Sequence, residues 1–122
     1  MTTEEIQLEI PASAGYLRLA RLAAADVGAR AGFSFEDIDD LRIAVDELCY
    51  AISGVDGDSR LTLVYRLSDH CVEVEGRCSG NGVGPQTSEL GRTIVGAVVD
   101  EFELSQEGDV SRFRFVKAIP SE

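Results

Sequence analysis

The chain has 122 residues, a length typical of one domain, and its 44% of apolar residues can build a hydrophobic core. Its 11 basic and 22 acidic residues give a net charge of −11, with both signs spread along the chain. This charge argues against binding nucleic acid or an anionic membrane by general attraction, and it would steer a basic protein toward the chain.

Neither a membrane span nor an export signal is expected. No apolar run reaches the roughly 18 residues that cross a bilayer, and the N-terminal stretch Met1–Glu5 lacks the basic and then apolar order of a signal peptide. We therefore predict one cytoplasmic domain over residues 1–122.

The first half of the chain predicts a strand followed by two helices. Apolar and polar residues alternate over 6–10, and Pro11 ends this strand. Apolar residues at helical spacing predict a helix from about Ser13 to Arg30 and a second, capped by Ser34, from about Phe35 to Ser53. The positions expected to face the core are Leu17, Ala20, Ala24 and Val27 in the first helix and Ile38, Leu41, Val45, Leu48 and Ile52 in the second.

The second half predicts two hairpins with a short helix between them. Alternation over 61–65 and 72–74 predicts one hairpin turned at 68–70, and alternation around 102–104 and 113–115 predicts another. The helix runs from about Leu90 to Val99, with Leu90, Ile94 and either Ala97 or Val98 on its packed face.

The order β-α-α-β-β-α-β-β predicts an α+β fold. Strands paired antiparallel with helices on one face make a two-layer sandwich, and we expect a mixed, mostly antiparallel sheet. The three cysteines show no Cys-x-x-Cys spacing, so buried thiols are expected rather than disulfides or a metal site. His70 is expected to be a solvated turn residue.

The second helix carries the sequence DLRIAVDELCYA from Asp40 to Ala51. Together with the order of elements, this sequence resembles the anti-sigma serine-kinase family, including the RsbW-like and SpoIIAB-like proteins, over nearly the whole chain. The resemblance implies the Bergerat-type ATPase fold of the histidine-kinase/Hsp90-like (GHKL) superfamily.

The resemblance also implies a nucleotide site from which key groups are missing. In the family, a Glu on this helix is the general base and an Asn four residues later ligates Mg²⁺; Glu47 matches the former, but Ala51 replaces the latter. Cys78 stands where an Asp accepts a hydrogen bond from the adenine amino group, and Gly80 matches the glycine that follows that Asp.

The phosphate-binding part is also reduced. Gly91 and Thr93 resemble the glycine-rich helix start that cradles phosphates, and Gly82 belongs to the short loop before it. We therefore expect no cofactor, with weak binding of ATP and Mg²⁺ left open.

Each of these groups also has a plainer interpretation. Glu47 is either a residual general base or, as we favour, a helix carboxylate paired with a basic neighbour such as Arg42. The glycines are either a remnant phosphate loop or a flexible connection.

In the family the first helix contributes an Arg that contacts the sigma factor. Arg21 is the best match, with Arg18 one turn earlier, and an ordinary solvated arginine in an intrahelical pair is the alternative. Family members commonly dimerise through the first strand and helix, which implies a homodimer here.

The expected function is regulation of transcription, as in stress responses, by an anti-sigma factor. The chain would sequester an alternative sigma factor without requiring ATP, and an anti-anti-sigma factor would release it. One alternative is an active serine/threonine protein kinase that phosphorylates the anti-anti-sigma factor, and another is a dimeric regulatory scaffold.

Overall fold

The computed structural model describes residues 3–53, 59–79 and 85–120. Within these ranges the strands and helices follow the predicted order, with a 3₁₀ turn added before the first helix. None of the helices in these ranges is long and apolar enough to cross a membrane. The elements are β1 Glu4–Pro11, the 3₁₀ turn Ala14–Tyr16, α1 Leu17–Arg30, α2 Phe35–Ile52, β2 Arg60–Ser68, β3 Cys71–Ser79, α3 Glu89–Val98, β4 Glu101–Glu107 and β5 Val110–Ala118.

The strands form one sheet in the order β1-β2-β3-β5-β4, and all four pairings are antiparallel. The predicted α+β class is confirmed, with a sheet that is antiparallel throughout the described strands rather than mixed. Because α3 connects β3 to β4, the last hairpin enters the sheet with β5 beside β3 and leaves β4 at the edge. The other edge is β1.

The inner face of the sheet is apolar and packs against α1 and α2. Alternate residues of the central strands are almost fully buried, as the period of two requires. The hydroxyl of Tyr65 donates a buried hydrogen bond of 2.9 Å to the carbonyl oxygen of Ala20, which fixes α1 on this face. The largest side chains of the core include Tyr65, Phe115, Leu41, Leu48, Ile52, Leu61 and Leu63.

The two long helices form where the pattern predicts them. In α1 all four predicted core positions are buried, and in α2 only Ile38 of the predicted stripe is partly exposed. The side chain of Ser34 accepts a hydrogen bond from the Asp37 N–H at 3.2 Å, and this N-cap begins α2.

The packed face of α3 differs from the prediction. Gly91 and Val95 are buried, whereas Leu90 is 68% exposed. A Cβ at Gly91 would lie only 2.8 Å from the hydroxyl oxygen of Thr87. The helix therefore packs through the position that has no side chain, which rotates Leu90 outward.

The prediction of a solvated His70 is wrong, although the hairpin turn at this position is confirmed. The side chain is 30% exposed, and the backbone has a φ of 61°. Its N–H donates to the carbonyl of Ala31 and its carbonyl accepts from the N–H of Ile119, both at 2.9 Å. The hairpin tip is thus packed between the end of α1 and the end of β5.

Candidate functional site

Glu47 of α2 lies against the first turn of α3. Its Oε2 is 3.2 Å from the position that a Cβ on Gly91 would occupy, and the Ser88 hydroxyl oxygen is 3.3 Å from the same point. Ser88 is the N-cap of α3 and accepts a hydrogen bond of 2.9 Å from the Gly91 N–H. The carboxylate is therefore close to the positive end of the α3 dipole.

The predicted pairing of Glu47 with Arg42 is wrong. Arg42 instead forms an ion pair of 3.2 Å with Asp39, three residues earlier on α2. Residues three or four apart share a helix face, whereas residues five apart point in different directions. Arg42 therefore faces the outer surface of α2, and Glu47 faces α3.

Ala51 and Cys78 occupy closed positions. Ala51 is 2% exposed and Cys78 is 1% exposed. The carbonyl oxygen of Ala51 accepts a hydrogen bond of 2.7 Å from the Gln86 N–H, so the segment that leads into α3 is fixed to the end of α2. A methyl group has no lone pair for a metal ion, and a buried thiol is a poor acceptor for an adenine amino group.

Of the remaining predicted residues, Thr93 does not join this cluster. The hydroxyl of the exposed Thr93 donates to the carbonyl of Glu89 at 3.0 Å, a bond within α3 itself. Gly80 and Gly82 lie outside the described residues. The structure thus places Glu47, Ala51 and Gly91 along the contact between α2 and α3.

These side chains do not fit the magnesium-bound nucleotide that a GHKL-type fold implies. At the position that the resemblance assigns to a metal ligand, the side chain is the buried methyl group of Ala51, and at the position that it assigns to adenine recognition, it is the buried thiol of Cys78. Within residues 3–53, 59–79 and 85–120, no three His, Cys, Asp or Glu side chains cluster in a way that would hold a metal ion.

A second candidate region lies on the outer side of α1 and α2. The guanidinium of Arg21 forms an ion pair of 2.6 Å with Asp46, which joins the two helices. Arg21 therefore pairs with a residue of the other helix, and the alternative interpretation, a pair within α1, does not hold. A cleft of about 280 Å³ lies beside this pair, and its lining residues are Arg21, Asp39, Arg42, Ile43 and Asp46.

Large apolar side chains are exposed on the same two helices, and one of them, Ile43, lines this cleft. On α1, Leu19 is 46% exposed and Leu22 is 58% exposed; on α2, Ile43 is 40% and Tyr50 is 60% exposed. Arg18 is also exposed and makes no ion pair within the part of the chain that the structure describes. We call these five residues the helical surface.

The apolar members of the helical surface are not among the predicted site residues. Their signal is present in the sequence, because Leu19 and Leu22 lie off the stripe of core positions in the first helix. Exposed apolar side chains beside charged ones are typical of surfaces that bind other proteins.

Comparison with known proteins identifies the family. No family model matches the sequence. The serine-protein kinase RsbW of Listeria monocytogenes serotype 4a (strain HCC23) is 34% identical over 119 residues, which cover 90% of this chain and 72% of that protein. The serine-protein kinase RsbW of Bacillus cereus (strain ATCC 10987 / NRS 248) is 33% identical over 94 residues, which cover 75% of this chain and 58% of that protein.

A solved structure shows the same fold. The RsbU and RsbW domains of Rv1364c from Mycobacterium tuberculosis match 94% of this chain with a TM-score of 0.73 at 15% identity, and the match covers 32% of that longer chain. At this identity the match establishes the fold alone. The sequence relatives identify the family as well as the fold. Because the Listeria RsbW protein is 34% identical over most of both chains, this chain belongs to the RsbW family.

Proposed function

We propose that this chain is a cytoplasmic anti-sigma factor that binds an alternative sigma factor without needing ATP and is released by an anti-anti-sigma factor. The observation that carries the proposal is the helical surface, where Leu19, Leu22, Ile43 and Tyr50 expose apolar area beside Arg18. Apolar anchors next to an arginine are typical of the energetically important part of a protein interface.

The two arginines of α1 have different roles in this proposal. Arg18 is free to pair with a carboxylate of the sigma factor, whereas Arg21 is engaged by Asp46 at 2.6 Å and holds α1 against α2. The net charge of −11 would attract the basic, promoter-binding regions of a sigma factor. A sigma factor bound to this chain would have its promoter-binding regions kept from DNA.

The side chains of Ala51 and Cys78 support independence from ATP. Ala51 offers no side-chain ligand for Mg²⁺, and the thiol of Cys78, which is 1% exposed, is a poor acceptor for an adenine amino group. Phosphoryl transfer depends on positioned charge and metal, and these side chains supply neither in the family's arrangement.

The test is binding of the purified chain to each alternative sigma factor of its source organism, with and without Mg-ATP. We expect one sigma factor to bind equally well in both conditions. Leu22→Glu places a charge in the apolar area and should weaken binding at least about tenfold, which corresponds to ~1.4 kcal/mol. Arg60→Glu, at the start of β2 in the opposite layer, is the matched control and should bind like the parent. Equal binding by Leu22→Glu, or no bound sigma factor, would contradict the proposal.

A second candidate function is that of a serine-protein kinase. The similarity to RsbW serine-protein kinases favours it, as does the position of Glu47 beside α3. Incubation with an anti-anti-sigma factor and labelled ATP distinguishes the two. Label transferred to serine by the parent and lost in Glu47→Gln would favour the kinase, whereas no transfer would favour the binding protein.

We further propose that the functional unit is a homodimer. The exposed strand β1 forms one edge of the sheet and has a free side for pairing with a second copy. Sedimentation of the purified chain tests this, and a monomer at working concentrations would contradict it.

A further inference from the structure

The outer face of the sheet carries an ion ladder that crosses every strand. Charges alternate in sign along it, and each arginine contacts carboxylates on both sides. Arg66 lies 3.0 Å from Glu5 and 3.3 Å from Glu73, and Arg114 contacts Glu73 and lies 3.1 Å from Glu101. Within this ladder the carboxylates neutralise both arginines.

A second row of residues on the same face places like charges opposite each other instead of alternating them. The register places Thr62 opposite Arg77, Arg77 opposite Arg112, and Arg112 opposite Ser105. Two arginines on adjacent strands thus face each other, with a hydroxyl residue on either side. Like charges directly opposite each other destabilise a sheet, so folding alone does not favour this arrangement.

The arginine pair, Arg77 and Arg112, is poorly neutralised. Within the described residues, Arg77 makes no ion pair, and the only carboxylate within ion-pairing distance of Arg112 is that of Glu107, at 3.8 Å with a side chain that is 82% exposed. None of the acidic residues that the structure describes forms an ion pair that bridges these two guanidinium groups.

A cavity of about 230 Å³ opens at the arginine pair. Thr62 and Ser105 line it with both arginines, and Glu75 and Glu103 form part of its wall. Pockets for small molecules usually measure roughly 300–1,000 Å³, so this cavity suits a single side chain better than a nucleotide.

We propose that the arginine pair is a docking site for an aspartate or glutamate side chain of a protein partner. Guanidinium groups bind carboxylates in planar, bidentate geometry, and the two flanking hydroxyl groups add donors. The carboxylates of Glu75 and Glu103 would repel a doubly charged phosphate more than a singly charged carboxylate. The site does not rest on the proposed function, because it lies on the opposite layer from the helical surface.

The test follows the side-chain N–H signals of the arginines by NMR in the intact chain. The probe is a capped Gly-Glu-Glu-Gly peptide, with capped Gly-Gln-Gln-Gly and inorganic phosphate as comparisons. We expect the acidic peptide to give saturable shifts at Arg77 and Arg112 that exceed those at Arg66 and Arg114. Arg77→Gln should weaken binding at least tenfold, and Arg60→Gln should leave it unchanged.

The folded state of each variant is checked by its unfolding midpoint. Arg77→Gln removes a like-charge contact and should unfold at the parent's midpoint or higher. Equal shifts with the glutamine peptide, uniform shifts of all arginines, or full binding by Arg77→Gln would overturn the proposal. Tighter binding of phosphate than of the acidic peptide would overturn the assignment to a carboxylate.

Discussion

Cys49 makes the stability of the protein sensitive to alkaline pH. Burial raises the pKa of its thiol, and the nearby Asp46 raises that pKa further. Burial likewise raises the pKa of the Tyr65 hydroxyl. In the unfolded chain a thiol ionises near pH ~8.5 and a tyrosine near ~10, so the unfolded state releases protons that the folded state retains. These groups contribute stability below those pH values, and that contribution is lost as pH rises.

We predict that the free energy of unfolding falls above about pH 8.5. Once the unfolded thiol is ionised, Cys49 alone should contribute a slope of ~1.4 kcal/mol per pH unit, and Tyr65 should steepen the slope above pH ~10. Urea titrations at a series of pH values measure this. Cys49→Ala should be less stable at neutral pH because it leaves a cavity, but its slope below pH ~10 should be shallower. A variant slope equal to that of the parent would show that Cys49 is not responsible.

At the scale of elements, the close approach of β3 and β5 depends on Gly76. Its cross-strand partner is Phe113, whose ring lies over the glycine so closely that an added Cβ would collide with it. The same two strands carry the arginine pair on their other face. Their packing therefore positions the proposed docking site.

We predict that Gly76→Ala destabilises the protein by about 1–3 kcal/mol, the usual cost of overpacking a core. Phe113→Leu also costs stability because it leaves space unfilled. Since each change relieves the other, the double variant should be more stable than the sum of the two effects predicts. Gly15→Ala, where no atom lies within 4 Å of an added Cβ, is the control. Additive losses in chemical denaturation would mean that the ring moves aside freely.

The order of elements could be predicted because each depends on a local pattern. The stripe in α2 identifies its core face without knowledge of its neighbours, and Ser34 marks its start. The packed face of α3 could not be predicted in this way, because the helix is short and packs through Gly91. A glycine in a helix gives no hydrophobic signal, and its close contact with Thr87 exists only in three dimensions.

The candidate sites likewise combine features that a local sequence pattern predicts with features that exist only in three dimensions. The resemblance to a family directed attention to Glu47 and Ala51, but it did not indicate that Glu47 faces Gly91 rather than Arg42. The arginine pair depends on the strand register between β3 and β5, which the alternation of apolar residues does not specify for strands so far apart in the chain.

At the scale of the whole molecule, two different surfaces cover one core. The helical layer exposes apolar side chains beside Arg18, and the sheet layer exposes rows of charge. A protein built in this way has room for two partners at once, one on each layer. Under the proposed function the region between α2 and α3 has a structural role, which agrees with the contacts of Glu47 and Ala51.

If partners bind the two outer surfaces and the region between α2 and α3 is structural, nucleotide should not change the stability of the protein. A ligand present at a hundred times its Kd would stabilise the folded state by ~2.7 kcal/mol, which a thermal unfolding experiment detects readily. We expect neither Mg-ATP nor Mg-ADP to raise the Tm, because the methyl group of Ala51 and the buried thiol of Cys78 cannot replace the missing ligands. The RsbW protein of Listeria monocytogenes serves as a comparison under the same conditions.

The double variant Ala51→Asn and Cys78→Asp separates missing ligands from a closed site. Both positions are almost fully buried, so the new polar groups should lower stability and still give no rise in Tm with Mg-ATP. A rise in Tm with nucleotide in the double variant alone would show that an open pocket lacks only its ligands. A rise in the parent would contradict independence from ATP and favour the kinase, since binding of the nucleotide is the first step that such an enzyme requires.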